Sequence, residues 1–275
     1  MSKPKIVSFC LMAVSTAVLM SCGGEEPKGP RYNYERADSL DPAYLQELSS
    51  VRTNIEISAQ LFGQLVEAEY PFDESLMLSS GKSFSGSKGQ ALGLGAVGSD
   101  LVYATLFGQN QTAITRSKDM MDQANKLNVP EAFDEKFITA LTSDDSTINK
   151  PIMLTKAYLN AKDQLFSEDR AQLATFMAVG GWVEGIYIGS GALKTKLDRN
   201  DIRITFFEMV KSYDNVMKML TVFADMNPEI AALKTEMEAL APAIGPIKSK
   251  PNRYKLEQVV ALHEAIGKFR SKILN

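Results

Sequence analysis

Two acids stand where acids are costly. Asp100 lies within Val97-Gly98-Ser99-Asp100-Leu101-Val102-Tyr103, and Glu184 within Gly180-Gly181-Trp182-Val183-Glu184-Gly185-Ile186-Tyr187. Both are surrounded by apolar and small residues, with Tyr103, Trp182 and Tyr187 as the nearest aromatics carrying polar tips or edges. If the two segments cross, a pair of carboxyls can share a proton, bind a cation, or divide the work of acid and base. Glycan hydrolysis is one reaction run by such a pair. The competing role is structural: each acid accepts hydrogen bonds from Tyr, Trp, Arg or Lys and fixes the packing around it. Asp100, Tyr103, Trp182, Glu184 and Tyr187 therefore form the candidate cluster, with no catalytic role assigned to any of them.

Other chemistries are poorly supplied. His263 is the only histidine, and it flanks the apolar stripe Val259, Leu262, Ile266, Phe269, Ile273, where a partly exposed surface position is expected. One histidine cannot build a zinc site of the usual kind, and no Gly-x-Ser-x-Gly elbow accompanies it. Gly93-Leu94-Gly95-Ala96-Val97-Gly98 has the spelling of a dinucleotide fingerprint but no strand before it, so it reads as helix packing. No metal and no cofactor are expected. The net charge of −3, which becomes −5 without Lys3 and Lys5, argues against a nucleic-acid partner. A local basic excess closes the chain (Lys248, Lys250, Arg253, Lys255, Lys268, Arg270, Lys272). It suits either an anionic surface or the ordinary preference of helix C-termini for cations.

The N-terminus has the order of an export signal: basic Lys3 and Lys5, an uncharged apolar run from Ile6 to Met20, and a small-residue exit. That run falls short of the roughly 20 residues needed to span a bilayer. Leu19-Met20-Ser21-Cys22-Gly23 resembles the lipobox of bacterial lipoproteins, although Met20 departs from the usual Ala or Thr. The resemblance implies cleavage before Cys22 and a lipid on its thiol, so that the membrane is the first partner. Two or three acyl chains hold a protein durably where one holds it marginally. With Cys10 removed in the leader and Cys22 lipidated, the mature chain has neither free thiol nor disulfide. Residues 22–40 read as a flexible acylated tether. Its Glu25 and Glu26 resemble the signal that exports lipoproteins of the Bacteroidota to the outer membrane, and a plain solvated tether has the same composition. The expected location is the cell envelope at the outer membrane, leaflet open.

Elements that could position the acids follow from periodicity. From residue 41 to 275 the apolar spacing is helical, and no run alternates like a strand. An all-α bundle of roughly eight to nine helices in a single domain is expected. Helices fall near 41–70, 90–107, 110–127, 131–142, 151–166, 168–196, 201–225, 228–241 and 254–274. Asp41-Pro42, Ser167 with Glu168 and Asp169, and Asn227-Pro228-Glu229 read as helix starts. Pro242, Gly245, Pro246 and Pro251 read as a loop. The Ser/Gly-dense stretch 79–89 reads as a disordered connector, with a lid or a partner contact as the other readings. Gly181, Gly185 and Gly189 form one stripe on a helix, and Gly89, Gly93, Gly95, Ala96, Gly98 and Ser99 form another. Each interior glycine costs up to about 1 kcal/mol relative to Ala, which close approach of the two helices would offset. The stripe also suits a membrane helix over Leu173–Leu193, but Glu184 at mid-bilayer opposes that reading.

The Gly-Ser-Asp-Leu-Val-Tyr stretch and the later Gly-Gly-Trp-Val-Glu-Gly-Ile-Tyr stretch resemble an uncharacterised family of Bacteroidota lipoproteins. The resemblance implies the anchor and a helical fold, and carries no activity. Two functions are then open. One is a lipid-anchored binding or scaffold module working with an envelope protein or a small apolar ligand. The other is an envelope enzyme using Asp100 and Glu184, for example on glycans.

Overall fold

The computed structural model describes residues 42–275 apart from 144–147, 168–169, 226 and 252. Cys22, the leader, the tether, Asp41, Glu168 and Asp169 lie outside the described residues. Every regular element described is helical. The α-helices are α1 (Pro42–Glu67), α2 (Gly86–Leu106), α3 (Asn110–Lys126), α4 (Glu135–Thr142), α5 (Lys150–Ser167), α6 (Ala171–Leu193), α7 (Asn200–Lys211), α8 (Tyr213–Ala224), α9 (Pro228–Glu238), α10 (Ala241–Lys248) and α11 (Leu256–Ile273). Short 3-10 turns occupy Glu74–Leu76 and Pro130–Phe133. All described residues fall in one compact unit.

α2 and α6 form the centre because they are apolar nearly all round. Their backbones meet at small residues. A Cβ on Gly95 would stand 1.9 Å from the Met177 carbonyl oxygen, and one on Gly180 would stand 2.0 Å from that of Leu92. The Ser99 hydroxyl donates to the Gly181 carbonyl at 2.8 Å across the same crossing. The expected contact between the two helices is therefore present, but the stripe divides its partners. Gly185 takes Ser58 of α1 and Met209 of α7, and Gly189 takes Leu61 of α1 and the same Met209. On α2, Gly93 receives the ring of Phe84. The fingerprint-like run 93–98 is helical throughout. Among the described residues no helix is long and apolar enough to cross a membrane.

Helices outnumber the eight to nine expected, for two local reasons. The 201–225 segment divides at Ser212, whose hydroxyl donates to the Met209 carbonyl at 2.7 Å and accepts from the Trp182 indole at 3.0 Å. A side-chain bond to its own helix backbone competes with the helical ladder. The expected loop after Pro242 contains a helix, α10. Pro242 sits in its first turn, where a missing N–H costs nothing, and burial of Ile244 and Ile247 supplies the drive despite Pro246. Ser167 belongs to α5, and the residue preceding α6 is Arg170, which makes no side-chain cap. Asn227 does cap α9, accepting from the Glu229 and Ile230 amides at 2.9 and 3.2 Å.

Candidate functional site

The α2–α6 crossing brings Asp100 and Glu184 together, both fully buried. α11 packs on α6 and delivers Arg270, whose Nε and Nη2 each donate to one Glu184 oxygen at 2.6 Å. α3 packs on α2 and delivers Arg116 from the other side, with Nε 3.8 Å from Asp100 Oδ2. That oxygen also accepts from the Leu78 amide at 3.0 Å. Arg116 spends Nη2 on the Leu78 carbonyl and Nη1 on Asp119 at 3.1 Å. The result is a closed row, Arg270–Glu184–Asp100–Arg116–Asp119, with two carboxyls back to back at its centre.

Asp100 Oδ1 has no partner if both acids are ionised, yet the two carboxyls are within hydrogen-bonding reach. One proton resolves this. Burial, then the Glu184 charge, push Asp100 well above the usual carboxylate range. Burial also raises Glu184, but the Arg270 guanidinium opposes it directly. The proton therefore sits on Asp100 and is donated to an ionised Glu184, the expected behaviour of adjacent buried acids.

The sign of the pH dependence follows. Above the ordinary Asp value of about 3.9, the unfolded chain has released a proton that the native chain retains. Stability then falls as pH rises toward the native value, by up to about 1.4 kcal/mol per pH unit, and is flat below. Asp100→Asn offers an amide donor to Glu184 at every pH. Its urea unfolding is expected to lack this decline, so that the variant equals or exceeds the parent at pH 8.

The other cluster residues divide. Tyr187 joins the row: its ring lies 4.3 Å from the Arg270 guanidinium and stacks on His263 at 4.6 Å. Tyr103 does not. Its hydroxyl accepts from the Asp73 amide at 3.0 Å, and its ring packs among Phe62, Phe72 and Phe107. Trp182 turns to Ser212 and Tyr213.

His263 is partly exposed, as expected, and its ring is also engaged. Nδ1 lies 3.1 Å from Ser190 Oγ, while that hydroxyl is 2.6 Å from the Ile186 carbonyl. The serine proton goes to the carbonyl, so Nδ1–H is the donor to Oγ. A serine nucleophile needs the reverse, and Ser190 is fully buried. Burial, then Lys194, lower the His263 value. The neutral ring is native, and acidification through its ordinary value near 6.5 removes stability.

Two further expectations change. The terminal basic residues are partly neutralised: Arg270 by Glu184, Lys248 by Asp214, and Lys272 by Glu236 at 3.1 Å. The 79–89 stretch, largely exposed, is tied to the domain at several points. α2 begins within it at Gly86, Leu78 and Phe84 are buried, and the Gly81 amide donates to Asp119 at 3.2 Å. Arg116 and Arg270 are the charged partners of the two acids; the sequence singles out Arg270 only as part of the terminal basic excess, and Arg116 not at all. Arg270 sits four residues beyond Ile266, on the flank of the buried stripe, and that position was the available signal. Among the described residues no group of three or more His, Cys, Asp or Glu side chains could hold a metal ion. No protein-family model, no curated protein and no solved structure matches the chain.

Proposed function

We propose that the chain is a cell-envelope lipoprotein, anchored at the outer membrane through lipid on Cys22, whose helical domain serves as a binding or scaffold module. The anchor rests on the export-type leader ending at Leu19-Met20-Ser21-Cys22 and on the likeness to Bacteroidota lipoproteins. The single observation supporting binding over catalysis is the closure of the Asp100–Glu184 pair. Glycosidases hold their carboxyls roughly 5–9.5 Å apart so that a sugar and water fit between them. Here both acids are fully buried, and the charge of Glu184 acts directly on Asp100. The alternative, a glycan-acting enzyme using Asp100 and Glu184, would require a substrate to reach two carboxyls that are fully buried.

Cys22→Ser tests the anchor. In the native host the variant is expected to move from the membrane fraction to the soluble fraction. Full membrane retention would overturn the lipoprotein reading. Crosslinking in the native membrane should capture an envelope protein in the wild type and lose it in Cys22→Ser.

A further inference from the structure

The outer half of the buried row also holds an exposed segment of chain. The Leu78 amide donates to Asp100 Oδ2 at 3.0 Å, and the Leu78 carbonyl accepts from Arg116 Nη2. Arg116 Nη1 donates to Asp119 Oδ2 at 3.1 Å, and Asp119 Oδ1 accepts from the Gly81 amide at 3.2 Å. Ser79, Ser80, Gly81 and Ser83 are exposed, between buried Leu78 and Phe84. Lys82 adds a longer contact, 3.5 Å to Asn275. Arg116 and Asp119 therefore fasten this segment to α3.

One donor in the set is idle. Arg116 Nε is buried without a hydrogen bond, 3.8 Å from Asp100 Oδ2. With Asp100 protonated, Arg270 and Arg116 balance Glu184 and Asp119. Loss of the proton adds a buried negative charge beside Glu184, and such a charge requires a paired cation. Arg270 already spends Nε and Nη2 on Glu184, so the response falls to Arg116. Its Nε must close from 3.8 Å to a hydrogen-bond length of about 2.9 Å. The guanidinium is rigid and planar, so that shift carries Nη1 and Nη2 along and stretches their bonds to Asp119 and the Leu78 carbonyl.

The other charged groups around Asp100 leave this assignment in place. Tyr187 and His263 lie beyond Arg270. Lys88, the other charged residue of α2, sits over the Phe176 ring. α1 and α5 also pack on α2, and their described charged side chains (Glu56, Glu67, Lys150, Lys156, Lys162, Asp163) all reach solvent.

We propose that Asp100, Glu184 and Arg116 form a proton-operated latch, in which loss of the shared proton draws Arg116 toward Asp100 and releases segment 79–83 from the domain surface. The latch is closed in acid and opens as pH rises through the native value of the pair. It belongs to the described domain alone and stands whether or not Cys22 carries lipid.

A nitroxide spin label tests it. The label is placed on Ser80→Cys in the full chain with Cys10 and Cys22, the only cysteines, replaced by Ser. A second chain carries it on Thr235→Cys, an exposed site on α9. Raising the pH from about 6 to about 10 is expected to shorten the correlation time at position 80 several-fold in one step, with position 235 unchanged. Asp100→Asn has no proton to lose and should keep position 80 slow throughout. Arg116→Gln should leave it fast at every pH. If Arg116→Gln does not fold, the Asp100→Asn comparison decides alone. Constant mobility at position 80 across this range overturns the latch. So does loosening that persists in Asp100→Asn, or that appears equally at position 235.

Discussion

Glu184→Leu is expected to lower the unfolding free energy by about 3–5 kcal/mol, the range for removing one partner of a buried ion pair. The substitution strands two groups at once. The Arg270 guanidinium, 14 % exposed at its side chain, loses both of its 2.6 Å acceptors. The Asp100 carboxyl loses the base that receives its proton. In a domain of this size the loss corresponds to a fall in Tm of roughly 10 °C, measurable by calorimetry. Glu184→Leu combined with Arg270→Leu should recover much of it, because apolar replacement of a buried pair is often neutral or stabilising. A single-variant loss below about 1 kcal/mol would show that water already reaches the pair.

The second large effect is steric. Gly95→Ala and Gly180→Ala each drive a methyl group into a carbonyl oxygen of the facing helix, at 1.9 and 2.0 Å before relaxation. Backbone cannot rotate aside as a side-chain tip can, so α2 and α6 must separate. Each is expected to cost about 3 kcal/mol or more, the upper part of the range for overpacked cores. Gly98→Ala, one turn away from Gly95 on α2, meets no backbone and should be neutral or stabilising by up to about 1 kcal/mol through helix propensity. Urea unfolding of the three variants makes the comparison. Similar values at positions 95 and 98 would refute the close crossing.

The helical class and the α2–α6 crossing were legible because both leave periodic marks. Apolar spacing marks the helices, and glycines four apart mark a surface that admits a neighbour. The partners of each glycine were not legible, since Gly185 and Gly189 turn to α1 and α7 only once those helices are placed. The meeting of Asp100 and Glu184 could be framed as a question but not answered, because residues 84 apart in sequence carry no distance. Arg270 shows the limit most clearly. Within its helix it looks like one more terminal cation, and only the packing of α11 on α6 turns it inward. The run Ala241–Lys248 misleads for the opposite reason, since Pro242 is harmless in a first turn and the burial of Ile244 and Ile247 outweighs Pro246.

Infrared spectroscopy tests most directly whether the two acids form a closed, proton-sharing packing unit rather than an active site. At pH 7 the wild type is expected to show a carboxylic-acid C=O band that shifts only slowly in D₂O and is absent in Asp100→Asn. A spectrum without that band, or one in which it exchanges at once, would mean that both acids are ionised or open to solvent. The pair would then be free for chemistry, contrary to the function proposed for this domain.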